Sequence, residues 1–385
     1  MSAELTPARA RPRPPLHMPG LDGVRGLAIL LVVPHNTAVG TEGLARVFTL
    51  AASAGWVGVQ LFFVLSGFLI TLRLLDALGS ATYYRTFYAR RILRIFPLYY
   101  ATLTLLFIVL PAIGLPVVTD SQHQIWSWVY LSNWTDPMGL NVPGLGHFWS
   151  LAVEEQFYLT WPLLVAVGSR RLLHVCLAVA GAAVLFRLVL LWQGASPYAI
   201  YLWTFCRMDA LALGAAAAAY FRRADFALPP PLPGRLFWLS MAMIVAGAVP
   251  TALYRSREFA NLSFGFTLLA VAFAMFVLAV ATPGGEWWRR ALQARWLRLV
   301  GKYSYAMYVF HLPLDLVLRD SFFDRLAWAG SWRPVAYMAV MTLLSYGAAF
   351  LSYHALEKHF LRLKRYFEPR DETMPRSRKP AVVDQ

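Results

Sequence analysis

Ten stretches of this chain are each apolar for long enough to cross a lipid bilayer, and that fact constrains its fold more than any other. The runs begin near Leu27, Gly55, Ile95, Trp149, Leu172, Tyr198, Leu236, Leu262, Tyr303 and Pro334. A hydrocarbon core about 30 Å thick takes roughly 20 helical residues at a rise of about 1.5 Å each. Inside it, backbone N–H and C=O groups must pair within the chain, so separate crossing segments are helices. The expected fold class is therefore all-α, a polytopic integral membrane protein of about ten transmembrane helices. Composition agrees: 58% of the residues are hydrophobic and 14% charged, more apolar surface than a soluble domain of this length hides.

The cations set the orientation. An even number of crossings puts both termini on one side. With the N-terminus inside, the inner segments hold Arg9, Arg11, Arg13 and Arg25, then Arg73, Arg85, Arg90, Arg91 and Arg94. Further inner clusters are Arg170 with Arg171, Arg222 with Arg223, Arg289 with Arg290, Arg295 to Lys302, and the basic tail. The outer side receives Arg46, Arg255, Arg257, Arg319, Arg325 and Arg333, while Arg187 and Arg207 fall within helices. The positive-inside rule then puts both termini in the cytoplasm. The formal charge of +15 follows from this topology and calls for no nucleic-acid partner. Residues 1–20 are polar and Pro-rich and read as a disordered cytosolic arm rather than a signal peptide. Residues 21–362 form the membrane domain and 363–385 a cytosolic tail. The stretch from about Leu115 to Phe148 holds Trp126, Trp128 and Trp134 but no Lys or Arg, and is expected to cap the outer surface. Cys176 and Cys206 offer neither a disulfide framework nor metal-ligand spacing.

Polar residues inside the apolar runs mark candidate chemistry. In LDGVRGLAILLVVPHNTAV, Arg25 stands at the mouth of a helix and His35 about 15 Å further in. An ionisable side chain at that depth costs a few kcal/mol unless it faces a wet interior, and histidine exchanges a proton near neutral pH. His35 is thus a candidate general base, the alternative being a structural hydrogen-bond donor. Ser66, in GWVGVQLFFVLSGFLIT, is either a nucleophile or a small residue for close helix packing. Of Glu154 and Glu155, in HFWSLAVEEQFYLTWP, one is expected to point inward and the other to cap or pair. Arg207 and Asp209 sit two apart in FCRMDALALGA and face different neighbours. An ion pair to another helix, such as a Glu of the fourth, is the favoured reading for them. His311 lies in YSYAMYVFHLPLD, with Asp315 beyond it. The segment YYRTFYARRILRIFPLYY, between the second and third helices, is either a topogenic loop or a site for a phosphorylated ligand held by guanidinium forks. No Walker loop or GxGxxG is present, so neither ATP hydrolysis nor a nicotinamide cofactor is supported.

Taken together and in order, LDGVRGLA with His35, GVQLFFVLSGFLIT, FYARRILRIFPLYY, HFWSLAVEEQFYLTWPLL, RMDALALGA, GKYSYAMYVFHLPL and YHALEKHF resemble the landmarks of the membrane acyltransferase-3 family, over roughly residues 20 to 362. The resemblance implies a ten-helix core in a bacterial inner or plasma membrane. It implies an acyl group, usually acetyl, taken from cytosolic acyl-CoA and given to a hydroxyl, commonly of a sugar on a surface polysaccharide, lipid-linked glycan or secondary metabolite. No metal is called for. It also implies that Arg25 and His35 are the essential pair of the first helix, that Arg90, Arg91 and Arg94 contact the coenzyme A phosphates, and that Glu154 fills an acidic motif position. Gln60 departs from the pattern where the family often has a carboxylate, and Pro34 directly precedes His35. The SGNH-hydrolase-like domain that some members carry is not expected here.

The expected chemistry is direct transfer: His35 deprotonates the acceptor hydroxyl, Glu154 or Glu155 orients the imidazole, and Arg25 stabilises the oxyanion. An acyl-enzyme on Ser66 or His35 is the variant. Competing classes are a macrolide-type small-metabolite O-acyltransferase and a non-enzymatic transporter with a polar pathway. Acceptor identity, acyl chain length and oligomeric state are not legible in one sequence.

Overall fold

The computed structural model describes residues 18–38, 45–115, 122–140, 142–223, 226, 228–248 and 259–367. Within them the chain is helical, with no strand. The expected N-terminal arm lies outside the described residues except for its last three, as do Arg255, Arg257 and the tail after residue 367.

The long helices are α1 (Pro19–Thr37), α2 (Val57–Ala77), α3 (Tyr83–Thr104), α4 (Phe148–Gly168), α5 (Leu172–Trp192), α6 (Thr204–Phe221), α7 (Leu232–Ala248), α8 (Phe266–Ala281), α9 (Arg295–Arg325) and α10 (Arg333–Ser352). Among the described residues five helical stretches are long and apolar enough to cross a membrane: Arg46–Ala77, Tyr83–Ala112, Phe148–Trp192, Asn261–Ala281 and Ala327–Phe367. Their outward faces carry bare apolar side chains such as Leu159, Val167, Leu185 and Leu351, a surface suited to lipid tails rather than water.

Three helices begin well before their apolar runs. α1 starts at Pro19, α3 at Tyr83 and α9 at Arg295. The basic segment read as lying between the second and third helices, Tyr83 to Tyr100, is thus most of α3 itself. Hydropathy misses such ends because Arg and Lys lay apolar stems along a helix while holding a charged head in a polar cleft. The consequence is functional: Arg91, Arg94, Arg298 and Lys302 are fixed on rigid elements.

Close helix contacts set the register of the site. A Cβ on Gly26 of α1 would run into the Leu297 carbonyl of α9, and one on Gly301 into the Asp22 carbonyl of α1. Those two glycines let the backbones touch and bring Arg25 against the basic start of α9. Gly67 of α2 and Gly214 of α6 interlock in the same way, each facing a carbonyl of the other helix, which seats Ser66. The segment after α3 is fastened onto α4 by Gln156, which donates to Asn133 Oδ1 at 2.9 Å and accepts from Trp134 Nε1 at 3.1 Å.

Candidate active site

Two connected cavities open among these helices. The larger is a cleft of about 750 Å³ whose walls include Arg73, Arg91, Arg94, Arg295, Arg298 and Lys302. The smaller is a chamber of about 70 Å³ lined by Ser66, Ser150, Glu154, Glu155, Tyr158 and Tyr308, among others. Arg25, Arg91, Arg94 and Tyr305 line both, so they form the throat between them. The cleft has room for a large anionic molecule, the chamber for a few atoms at its tip.

Positive charge predominates in the throat, although Glu154 and Asp22 act on Arg25 and Glu357 acts on Arg94. Arg25, Arg91 and Arg94 are near enough to repel one another, and none of them has a carboxylate in ion-pair contact among the described residues. Cations that outnumber the carboxylates of the cleft, Asp22 and Glu357, are a natural seat for a polyanion, and phosphate suits a guanidinium fork. The i, i+3 spacing of Arg91 and Arg94 turns both inward. Arg90, also read from sequence as a phosphate contact, lines neither cavity. Arg73, Arg295, Arg298 and Lys302 were read only as topology signals. The i, i+3, i+7 spacing on α9 was the available sign that three of them share a face.

In the chamber both oxygens of Glu154 are engaged. Ser66 Oγ donates to Oε1 at 2.7 Å, and the Tyr158 hydroxyl donates to Oε2 at 3.0 Å. The Arg91 guanidinium lies 5.4 Å from the centre of the Tyr158 ring, linking throat to chamber. Glu155 also lines the chamber, and its Oε1 is buried without a hydrogen-bond partner. The expectation that one glutamate faces inward while the other caps or pairs is corrected: both face in, because adjacent positions of α4 straddle the cavity.

His35 stands apart from this group. It occupies the last turn of α1, which ends at Thr37, and lines neither cavity. Its Nδ1 lies 3.2 Å from the Ala52 carbonyl, and among the described residues the hydrogen bonds of Glu154 run to Ser66 and Tyr158 and not to this ring. A carbonyl only accepts, so Nδ1 carries the proton and Nε2 keeps its lone pair. Pro34 falls within this final turn and the helix continues past it for three residues.

His311 is fully buried on α9 beside His147, with ring centroids 4.6 Å apart, and its electrostatic neighbours include His35. Arg207 and Asp209 depart from the expected partnership with α4. Asp209 pairs with Arg187 of α5 at 3.0 Å and accepts from Thr267 at 2.5 Å. Arg207 donates to Gln60 Oε1 at 2.6 Å and sits 4.0 Å from the Phe266 ring centre, with Tyr201, Trp149 and Phe63 around it. Position 60 therefore answers to Arg207 and not to the imidazole: Gln60 donates its amide to the Phe266 carbonyl at 2.9 Å, and aromatic faces offset part of the cation's charge.

The arrangement is a cationic cleft narrowing to a small chamber of hydroxyls and carboxylates inside a helical bundle. The Acyl_transf_3 model, described as an acyltransferase domain, matches residues 18–354, and the chain belongs to that family. Over 368 residues it is 31% identical to YrhL of Bacillus subtilis, a candidate peptidoglycan O-acetyltransferase by name, covering 89% of this chain and 54% of that protein. It is 27% identical to the O-acetyltransferase OatA of Staphylococcus aureus, covering 89% and 57%. It is also 26% identical over 318 residues to the peptidoglycan O-acetyltransferase OatA of Listeria monocytogenes, covering 77% and 49%. The chain spans about half the length of these curated relatives. No solved structure matches it.

Proposed function

We propose that this protein is a multi-pass bacterial membrane O-acyltransferase, with about ten crossings and both termini in the cytoplasm. In this reading it moves an acetyl group from cytosolic acetyl-CoA to a hydroxyl of a glycan. The observation that carries it is the throat: Arg25, Arg91 and Arg94, none in ion-pair contact with a carboxylate among the described residues, shared between a roomy cleft and a chamber too small for a nucleotide. The nucleotide phosphates bind Arg91, Arg94 and the cations of α9, and the thin pantetheine arm passes Arg25. The thioester then lies by Ser66, Glu154 and Tyr158. The acceptor oxygen bonds to the acyl carbon and the C–S bond breaks, while its proton goes to a base. From sequence alone that base is His35, through Nε2; His35 lines neither cavity, whereas Glu154 and Glu155 line the chamber. The thiolate leaves and regains a proton as free coenzyme A. The Arg25 guanidinium offers charge to the developing oxyanion in a place where little water weakens it. The named relatives support a glycan acceptor.

One distance favours a second route. The Ser66 hydroxyl already points its proton at Glu154, 2.7 Å away, the geometry of a base beside a nucleophile. On that route Glu154 takes the Ser66 proton, an acyl-serine forms as coenzyme A leaves, and the acceptor hydroxyl then displaces the serine.

The test is coenzyme A release from acetyl-CoA by the full chain in lipid nanodiscs, with and without soluble N-acetylglucosamine oligomers, for wild type and His35→Ala. Release that needs both oligomer and His35 supports the reading. Release that ignores His35 rejects it as the base. Absence of any turnover, with solute flux through proteoliposomes instead, favours a transporter.

A further inference from the structure

The adjacent glutamates of α4 line the same chamber and are bonded in opposite ways. Glu154 has an O–H donor on each oxygen, Ser66 at 2.7 Å and Tyr158 at 3.0 Å. Among the described residues Glu155 accepts from no donor, and its Oε1 is buried. A carboxylate held away from bulk water without a hydrogen bond is costly, and native folds rarely leave one so.

The surroundings of Glu155 sharpen that observation. Four tyrosines lie within its electrostatic range: Tyr99, Tyr100, Tyr130 and Tyr305. A phenolic O–H is a natural donor to a carboxylate, yet three of these hydroxyls are committed to backbone. Tyr99 donates to the Ser127 carbonyl at 2.6 Å, Tyr100 to the Trp128 carbonyl at 3.2 Å and Tyr305 to the Ile95 carbonyl at 2.9 Å. Tyr130 is pinned by stacking on Tyr99, with ring centres 4.2 Å apart, and among the described residues its buried hydroxyl has no partner. Arg91 stands near both glutamates without an ion pair to either among the described residues. The fold thus surrounds Glu155 with donors and spends them elsewhere, which leaves this acid to whatever enters the chamber.

A hydroxyl that meets a thioester in so small a space also meets the chamber lining. We infer that Glu155 is the catalytic base for the acceptor, its carboxylate taking the hydrogen of the attacking hydroxyl. The acceptor oxygen bonds to the acyl carbon as its proton passes to Glu155, and the C–S bond breaks. The thiolate then takes that proton from Glu155 and departs as the free thiol, which restores the carboxylate. The two glutamates divide the work: Glu154 holds Ser66 and Tyr158 in place, and Glu155 exchanges the proton. The inference rests on the transfer reading above and deepens it by naming the base inside the chamber.

The experiment uses the full chain in nanodiscs with N-acetylglucosamine oligomers as acceptor. Two acetyl donors are compared: acetyl-CoA, and the short thioester S-acetyl-N-acetylcysteamine, which brings no phosphate to the cationic cleft. Glu155→Gln keeps the shape and removes the basic oxygen. It is expected to lower kcat about 100-fold or more with both donors, the scale of a lost acid–base group. The KM for acetyl-CoA stays within about 2-fold, as when the lost interaction is made only in the transition state. Glu155→Ala leaves room for a small carboxylate, and added formate is expected to raise its kcat about 10-fold or more by standing in for the base. A glutamate with a merely structural role shows no such rescue. Unchanged kcat in Glu155→Gln overturns the inference, and so does a loss in Glu155→Ala that formate leaves untouched. The second donor separates this inference from the transfer reading. Glu155-dependent turnover of the short thioester without turnover of acetyl-CoA supports the base and rejects the donor. Acetyl-CoA turnover that is indifferent to Glu155 does the reverse, and no turnover of either thioester overturns both.

Discussion

The hydroxyl of Ser66 donates to Glu154 across 2.7 Å, while Tyr158 holds the other carboxylate oxygen at 3.0 Å. This one carboxylate ties α2 to α4 at the floor of the chamber, next to the Arg25, Arg91 and Arg94 throat. Glu154→Ala frees both hydroxyls and removes the only charge they share, and is expected to lower turnover by about 100-fold or more, the scale of a lost acid–base group. Glu154→Gln keeps the size and loses the charge, so it falls as far if the carboxylate accepts a proton, and much less if it only holds the hydroxyls in place. Rapid-quench transfer assays with radiolabelled acetyl-CoA read the difference. Label that stays on wild-type protein without acceptor, and is absent in Ser66→Ala, selects the acyl-serine route.

Single alanine substitutions at Arg25, Arg91 or Arg94 are expected to weaken coenzyme A binding by about 10-fold or more each, as charge-assisted hydrogen bonds to phosphate contribute about 1.5–3 kcal/mol. Arg90→Ala is expected to cost much less, since Arg90 lines neither cavity. Titration calorimetry at two salt concentrations checks both statements, because binding to this cluster weakens as ionic strength rises. Equal losses at Arg90 and Arg94 contradict the throat.

Gln60 and Arg207 predict a stability effect away from the chemistry. Gln60→Leu strips a fully buried guanidinium of its hydrogen-bonded oxygen and is expected to destabilise by about 1.5–3 kcal/mol, the range for a hydrogen bond to a charged group. Gln60→Glu keeps an acceptor for Arg207 but loses the donor to the Phe266 carbonyl, and is expected to destabilise less than Gln60→Leu. Thermal unfolding in detergent, followed through tryptophan fluorescence, orders the variants.

Asp136, in the segment after α3, sets a pH dependence of stability. Burial pushes its carboxyl up to about 7, against about 3.9 in an unfolded chain, and among the described residues its Oδ2 has no hydrogen-bond partner. Between those values the folded protein holds a proton that the unfolded chain has released. The stability linked to this group is therefore fully present below about pH 4 and declines as pH rises through 7, by up to about 1.4 kcal/mol per unit. Asp136→Asn is expected to flatten the fall in melting temperature between pH 5 and 8. An unaltered slope contradicts the assignment.

The apolar runs carried the helical architecture because burial in hydrocarbon or in a bundle interior demands a continuous apolar stretch, and such stretches are visible in a single sequence. The ends were less legible. α3 and α9 begin among arginines that hydropathy excludes, so Arg295, Arg298 and Lys302 read as topology signals although they line the cleft. Arg25, Arg91, Arg94, Ser66 and Glu154 were read individually, and the bundle joins them. What depth alone could not decide was lateral position. Residues at one depth can lie on opposite sides of a helix pair: Arg207 turned to Gln60, Asp209 to Arg187, and His35 to the Ala52 carbonyl. His147, just outside the α4 apolar run, gave no sign of its partnership with His311, which depends on a contact between positions 164 residues apart.

A single-particle structure of the protein in nanodiscs with a non-hydrolysable acetyl-CoA analogue tests the account most directly. The account predicts the nucleotide phosphates on Arg91, Arg94 and the basic face of α9, the arm passing Arg25, and the acyl group beside Ser66 and Glu154. Analogue density outside the cleft, or a chamber filled by a lipid tail while the analogue is bound elsewhere, would contradict it.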